Sequence, residues 1–221
     1  MKLGLSSYSL NSAIREGRMS LLEAMSWAKE NGAECMELVP FAFRFDDEEG
    51  KINHEFIEEV KNHARKIDLE LCNYSVLADL LKDGEEQENE IKRIMHHVDI
   101  AAELEIPRMR HDISAFRRPL GQNGIKDFDE LLPKMIDAAK RITDYAKTKG
   151  VKTMIENHGF FVNGCDRVER VINGVNDENY GLLLDTGNII CMDEDPVVAA
   201  ELLADKCRMV HLKDFYIRHR D

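Results

Sequence analysis

One pattern repeats along this chain and limits what it can fold into. Short apolar runs alternate with longer stretches whose apolar residues recur at helical spacing. The short runs predict strands at Lys2–Ser6, Cys35–Val39, Leu69–Tyr74, Arg108–Asp112, Val151–Asn157, Gly181–Asp185 and Arg208–His211. Between them the helix signals carry their own ends. Ser20 and Glu23 form a capping box before Leu21, Leu22, Met25 and Ala28, and Gly32 follows as a stop. Asn53 can cap a helix with Phe56, Ile57, Val60, Ala64 and Ile67 on one face. The pattern recurs over Glu85–Leu104 and Leu131–Lys149, then in a short helix capped by Asp166 and ending at Gly174, and again after the Asp195-Pro196 pair. Trp27 falls within an amphipathic helix and reads as core, and His96-His97 reads as surface.

Strands this apolar need cover on both faces, which a parallel sheet flanked by helices provides. The order is therefore α/β, either doubly wound or a barrel. No glycine-rich phosphate loop follows the first strand, which argues against the nucleotide-binding doubly wound kind. Polar residues ending several different strands favour a (β/α)8 TIM barrel. No linker or low-complexity tract divides residues 1–221, so a single domain is expected. Only seven strands are found in 221 residues, where such barrels usually take about 250. The expectation is a barrel incomplete at its C-terminal end, its last strand lying past Asp221. A chain stopping there is expected to be inactive and to self-associate through unpaired sheet edges.

The net charge of −12 opposes phosphate backbones and argues against general nucleic-acid binding, though a local basic patch could override the average. No apolar run approaches the ~20 residues that span a bilayer, and Met1–Ser7 already reads as a strand rather than a signal peptide. A cytoplasmic protein with no membrane partner is expected. The five cysteines include no CxxC pair and are read as reduced thiols, without a zinc cluster among them.

Three of the strands finish on metal-competent side chains: Glu156 in Met154–His158, Asp185 in Leu182–Asn188 and His211 in Met209–Asp214. They stand 29 and 26 residues apart, about one strand-plus-helix unit each. Successive barrel strands would bring them to one rim, where barrel chemistry sits. Two carboxylates and an imidazole suit one divalent ion among Mn²⁺, Mg²⁺, Co²⁺, Fe²⁺ and Zn²⁺. Such an ion polarises a carbonyl or hydroxyl oxygen, and Glu156 beside it could move a proton at the adjacent carbon.

From Leu3-Gly-Leu-Ser-Ser through Cys35-Met-Glu-Leu to Val210-His-Leu-Lys-Asp, the chain resembles the xylose-isomerase-like TIM barrel superfamily. That group comprises sugar phosphate isomerases/epimerases, with ketose 3-epimerases, hydroxypyruvate isomerases and inosose dehydratases among its members, and is related to endonuclease IV. The resemblance implies that Glu156, Asp185 and His211 are three of four metal ligands, that a strand-eight glutamate is the fourth, and that Glu156 transfers the proton. The implied substrate is a small sugar or sugar phosphate, in a protein that can form homo-oligomers. The implied reaction is isomerisation or epimerisation through an enediolate. An inosose-type dehydratase with the same metal, or a non-catalytic sugar-binding barrel, are the alternatives. Many members have histidine three residues after the strand-six aspartate. Asn188 stands there instead, which counts against an endonuclease.

The expected substrate-binding residues are His158, Asn188, Arg218 and His111. His158 lies two residues after Glu156, and Arg218 resembles an arginine that grips sugar oxygens or phosphate in relatives. Arg110, beside His111, ends the same strand and could line the pocket with it. Arg117 and Arg118 read as a solvated loop pair, and Glu37 as a structural acid.

Overall fold

The structure is a computed structural model that describes residues 1–216. The elements follow in the predicted alternation. They are β1 (Gly4–Ser6), α1 (Asn11–Arg15), α2 (Leu21–Glu30), β2 (Cys35–Leu38), α3 (His54–Lys66), β3 (Glu70–Val76), α4 (Gly84–Glu103), β4 (Arg108–His111), α5 (Ile125–Thr148), β5 (Lys152–Glu156), α6 (Cys165–Val175), β6 (Tyr180–Asp185), α7 (Thr186–Ile190), α8 (Pro196–Leu203) and β7 (Cys207–His211). The strands stand in chain order from β1 to β7, and each pairs in parallel where the register is defined. This is the α/β, TIM-barrel-like succession.

Two compact units are present. The first comprises residues 1–76, 95–109 and 148–151. Here β1, β2 and β3 pair in parallel, with Ser6 opposite Glu37 and Glu37 opposite Asn73. The capping box at the start of α2 forms as the sequence implied: Ser20 Oγ accepts from Glu23 N, and Glu23 Oε2 accepts from Ser20 N. Asn53 accepts from Phe56 N to open α3. Glu37 is buried, and its Oε1 accepts hydrogen bonds from Asn73 Nδ2 at 2.8 Å and Ser75 Oγ at 2.6 Å. Two readings need correcting. Trp27 is 44% exposed, because the buried face of α2 is Leu21, Ala24, Met25 and Ala28, and Trp27 lies about a third of a turn off it. His96 and His97 are half-buried rather than loose surface: His96 Nε2 meets Asp46 Oδ1 at 2.6 Å and His97 Nδ1 meets the Tyr74 hydroxyl at 3.1 Å.

The second unit comprises residues 77–94, 110–147 and 152–221. Its β5, β6 and β7 pair in parallel, and the register sets Glu156 opposite Leu183 and Asp185 opposite His211. The apolar run of β6 is buried throughout, whereas β7 alternates half-buried and exposed residues. Asp195 caps α8 by accepting from Val197 N, with Pro196 in the first turn as its sequence suggested. Asp166 is not the cap of α6. Gly164 occupies that position, with the Cys165 amide donating to Glu194 Oε2 at 2.9 Å, and Asp166 lies inside the first turn. Helix α5 starts at Ile125, six residues before the predicted Leu131. Asp127 secures its start by accepting from Gly124 N, and Pro133 is accommodated within the helix.

Candidate metal centre

The site lies in the second unit, where strands end. Strand β5 delivers Glu156, β6 delivers Asp185 and β7 delivers His211. One ligand atom from each lies within 4.8 Å of the other two. His211 Nδ1 is 3.9 Å from both Glu156 Oε1 and Asp185 Oδ2. That is too long for a hydrogen bond and short enough for three donors to share one ion. Both carboxylates are buried, which costs free energy unless a positive charge accompanies them. The donor set, two carboxylates and an imidazole, fits a divalent cation of the borderline class.

Asp185 has two separate tasks. Its Oδ1 accepts from Asn188 N at 2.8 Å and caps α7, a five-residue helix absent from the elements expected of the sequence. Its Oδ2 faces His211 and Lys213, with Lys213 Nζ at 3.2 Å. The two tasks can be pulled apart. Asp185→Ala should lose about 1 kcal/mol of stability with the cap, while Asp185→Asn, an equally good cap, should keep the fold and lose ion affinity. Denaturant melts of metal-free protein beside calorimetric titration with Mn²⁺ would read both. Equal affinity in wild type and Asp185→Asn would remove Asp185 from the ligand set.

Around these groups stands a polar ring that the sequence only hinted at. Arg110 is buried and forms an ion pair with Glu156. It also meets Asp112 Oδ1 at 3.1 Å and His158 Nδ1 at 3.1 Å. Burial pushes the Glu156 carboxyl up, but the Arg110 cation and the charges of His158 and His211 outweigh it and bring it down to about 2. Glu156 is thus held ionised, the form a metal ligand requires. Asp112 and Lys213 were missed because nothing in their local sequence marks them, and Arg110 was named only as a residue that could line the pocket beside His111. The one available hint was that each lies at, or within two residues of, a strand end.

His158 is at this cluster, its Nδ1 3.2 Å from both oxygens of Asp112 and its ring 4.6 Å from that of Phe116. Asn188 is there too, but its carboxamide is engaged on both sides: Nδ2 donates to Glu156 Oε1 at 3.1 Å and Oδ1 accepts from Lys213 Nζ at 2.5 Å. His111 is placed elsewhere. It is fully buried, its Nδ1 donates to the Asp112 carbonyl at 3.0 Å, and its ring stands 6.3 Å from that of Tyr180. Its Nε2 has no hydrogen-bond partner among the described residues, and burial pushes its pKa down, which favours the neutral ring. Arg218 lies outside the described residues. Of the basic loop pair, Arg117 is exposed, while Arg118 lies over the Phe161 ring at 4.3 Å rather than in free solvent.

The loop after β4 reaches His158 through a close contact at Gly159. A Cβ there would come within 2.9 Å of the Phe116 carbonyl oxygen, and the backbone has φ +74°. Gly159→Ala should therefore cost about 1–3 kcal/mol in strain and displacement. Chemical denaturation gives that number. A neutral substitution would mean that the Phe116–His158 stack does not depend on this contact.

The sequence profile of one family, described as the xylose isomerase-like TIM barrel, matches residues 25–221. The chain belongs to that family. Among curated relatives, the inosose dehydratase of Clostridium beijerinckii is 27% identical over 81 residues, covering 36% of this chain and 27% of that protein. The match thus spans about a quarter of the relative's length. Among solved structures, the Escherichia coli 3-keto-D-glucoside 4-epimerase YcjR aligns with a TM-score of 0.73 at 19% identity, over 97% of this chain and 79% of that one. The IolI protein with a bound zinc atom aligns with a TM-score of 0.69 at 15% identity, over 91% and 68%. At these identities the structural likeness concerns the fold. Among the described residues, no helix is long and apolar enough to cross a membrane.

Proposed function

We propose that this family member is a divalent-metal-dependent isomerase or epimerase of small sugars or sugar phosphates, working through proton transfer beside a carbonyl. The observation that supports it is the convergence of Glu156, Asp185 and His211 within 4.8 Å at three successive strand ends. An ion held by these three would supply Lewis-acid polarisation of a carbonyl or hydroxyl oxygen. The rest falls to the chain's own groups. The Glu156 carboxylate takes the proton from the carbon next to the carbonyl, and the C–H electron pair moves into the C–C–O unit to give an enediolate. Return of a solvent-derived proton to the opposite face of that carbon gives the epimer, and its return to the neighbouring carbon, with the hydroxyl proton passing from one oxygen to the other, gives the isomer. Lys213 and Arg110 place two positive charges beside Asp185 and Glu156, where they can steady negative charge on the substrate.

A dehydratase is the second reading, favoured by one feature of the cluster. Glu156 held ionised down to about pH 2 is a weak base, because the best proton acceptors have pKa values near the working pH. His158, oriented by Asp112, is the better-placed alternative. It would take the proton from the carbon beside the carbonyl, the C–H electron pair would form the C=C bond as the C–O bond breaks, and His158 would return that proton to the leaving hydroxyl, which departs as water. The C. beijerinckii relative's name names that kind of reaction.

Incubation in D₂O with Mn²⁺ and a panel of ketoses, their phosphates and cyclic keto-polyols separates the readings. Deuterium entering beside the carbonyl, with no loss of water from the product, is the expected result. Loss of water would identify the dehydratase. Binding without any exchange would leave a sugar-binding barrel and overturn both enzymatic readings.

A further inference from the structure

The last register pair between β5 and β6 sets Glu156 opposite Leu183. Asp185 lies two residues further on. Backbone pairing with β7 places it opposite His211, but the β5–β6 ladder stops short of it. What ties Asp185 to the Glu156 side is the next residue, Asn157. Its carboxamide behaves as a strand backbone would, accepting from Asp185 N at 2.7 Å and donating to Asp185 O at 2.9 Å. Behind it, Asn163 Oδ1 stands 3.4 Å from Asn157 Nδ2 and accepts from Gly164 N at 2.9 Å. The Asn163 Nδ2 donates to the carbonyls of Gly159 and Asn188, both at 2.9 Å. Asn157 is fully buried and Asn163 nearly so, so these bonds have no water to replace them.

We infer that Asn157, backed by Asn163, is a positioning residue that extends the β5–β6 ladder through its side chain and so fixes the Glu156–Asp185 spacing on which ion binding depends. The inference rests on the metal-centre reading above. Side-chain chemistry accounts for the residue type. Asparagine supplies one donor and one acceptor at this reach, aspartate would set a negative oxygen against the Asp185 carbonyl, and leucine would offer neither bond. Outer partners of metal ligands commonly govern affinity by 10–100-fold.

A merely structural hydrogen bond on the same strand provides the control. Thr143 Oγ1 and Thr153 Oγ1 meet at 2.9 Å, buried, with Thr153 in β5 three residues before Glu156. Wild type, Asn157→Leu and Thr143→Val would be titrated with Co²⁺ by calorimetry, and the visible absorption of the bound Co²⁺ recorded. The expected result is that Asn157→Leu loses about 10–100-fold in affinity and shifts the Co²⁺ bands. Thr143→Val should melt earlier yet bind and absorb as wild type does. Should the leucine variant not fold, Asn157→Ser removes the reach to Asp185 without added bulk and must show the same loss. A folded Asn157 variant with wild-type affinity and spectrum overturns the positioning role and leaves the metal centre standing. Equal loss in Thr143→Val also overturns it, since any buried hydrogen bond would then do. A wild type that takes up no Co²⁺ overturns the metal-centre reading itself, and this inference with it.

Discussion

Glu156→Gln is expected to lower solvent-deuterium exchange by about 10²–10⁴-fold, the usual cost of losing one positioned acid–base group. The substitution keeps the side chain's size and one carbonyl oxygen, so Asn188 Nδ2, now 3.1 Å from Glu156 Oε1, can still donate to it. The fold should survive, and some ion affinity should remain through Asp185 and His211. What disappears is the negative charge that pairs with Arg110 and the ability to accept a proton. Exchange rates under saturating Mn²⁺, beside calorimetric affinities, separate the two losses. If exchange at saturation is close to wild type, Glu156 is a ligand only. His158→Gln should then carry the large drop, as the dehydratase reading requires.

How much of this was legible in the sequence depends on the range of the interaction. The capping residues Ser20, Asn53 and Asp195 could be read directly, because a cap acts over two or three residues and its partner is always nearby. The strand-end cluster was legible for a different reason. Parallel strands joined by helices put successive strand ends on the same side, so spacing alone predicted that Glu156, Asp185 and His211 would meet. Helix α7 was missed because it is only five residues long, too short for an apolar period to show, and its cap, Asp185, was read as a candidate metal ligand. Asp185 has an oxygen for each: Oδ1 caps the helix and Oδ2 faces His211. The Arg110 cluster was illegible in kind. Its partners Asp112, Glu156 and His158 come from two strand ends more than forty residues apart, and no local pattern says which of two adjacent side chains, Arg110 or His111, turns toward them. Neighbouring strand residues point to opposite faces, so a one-residue shift in reading the strand exchanges the side chain that joins the cluster for a core histidine.

Arg110→Met should destabilise the metal-free protein by about 3–5 kcal/mol, the usual cost of removing one partner from a buried ion pair. Glu156 and Asp112 are both buried, and Arg110 contacts both. Methionine fills much of the space but leaves the two carboxylates without this cation. The loss has a definite pH dependence. In wild type the Glu156 carboxyl lies at about 2 against an ordinary 4.5. Its contribution to stability is therefore complete above about pH 4.5 and vanishes as the pH falls through 2. Without Arg110, burial is opposed less and the folded-state value rises, so that contribution is small at every pH. The stability gap between variant and wild type should be widest near neutrality and close between pH 4.5 and 2. A divalent ion should narrow it from the other direction, since bound charge replaces the lost guanidinium and a ligand at a thousand times its Kd adds about 4 kcal/mol to the folded state. Urea melts at several pH values, with and without Mn²⁺, would measure all three trends. A gap that is constant with pH and indifferent to Mn²⁺ would mean that Arg110 acts through packing, and that the charge balance drawn here between guanidinium and metal is wrong.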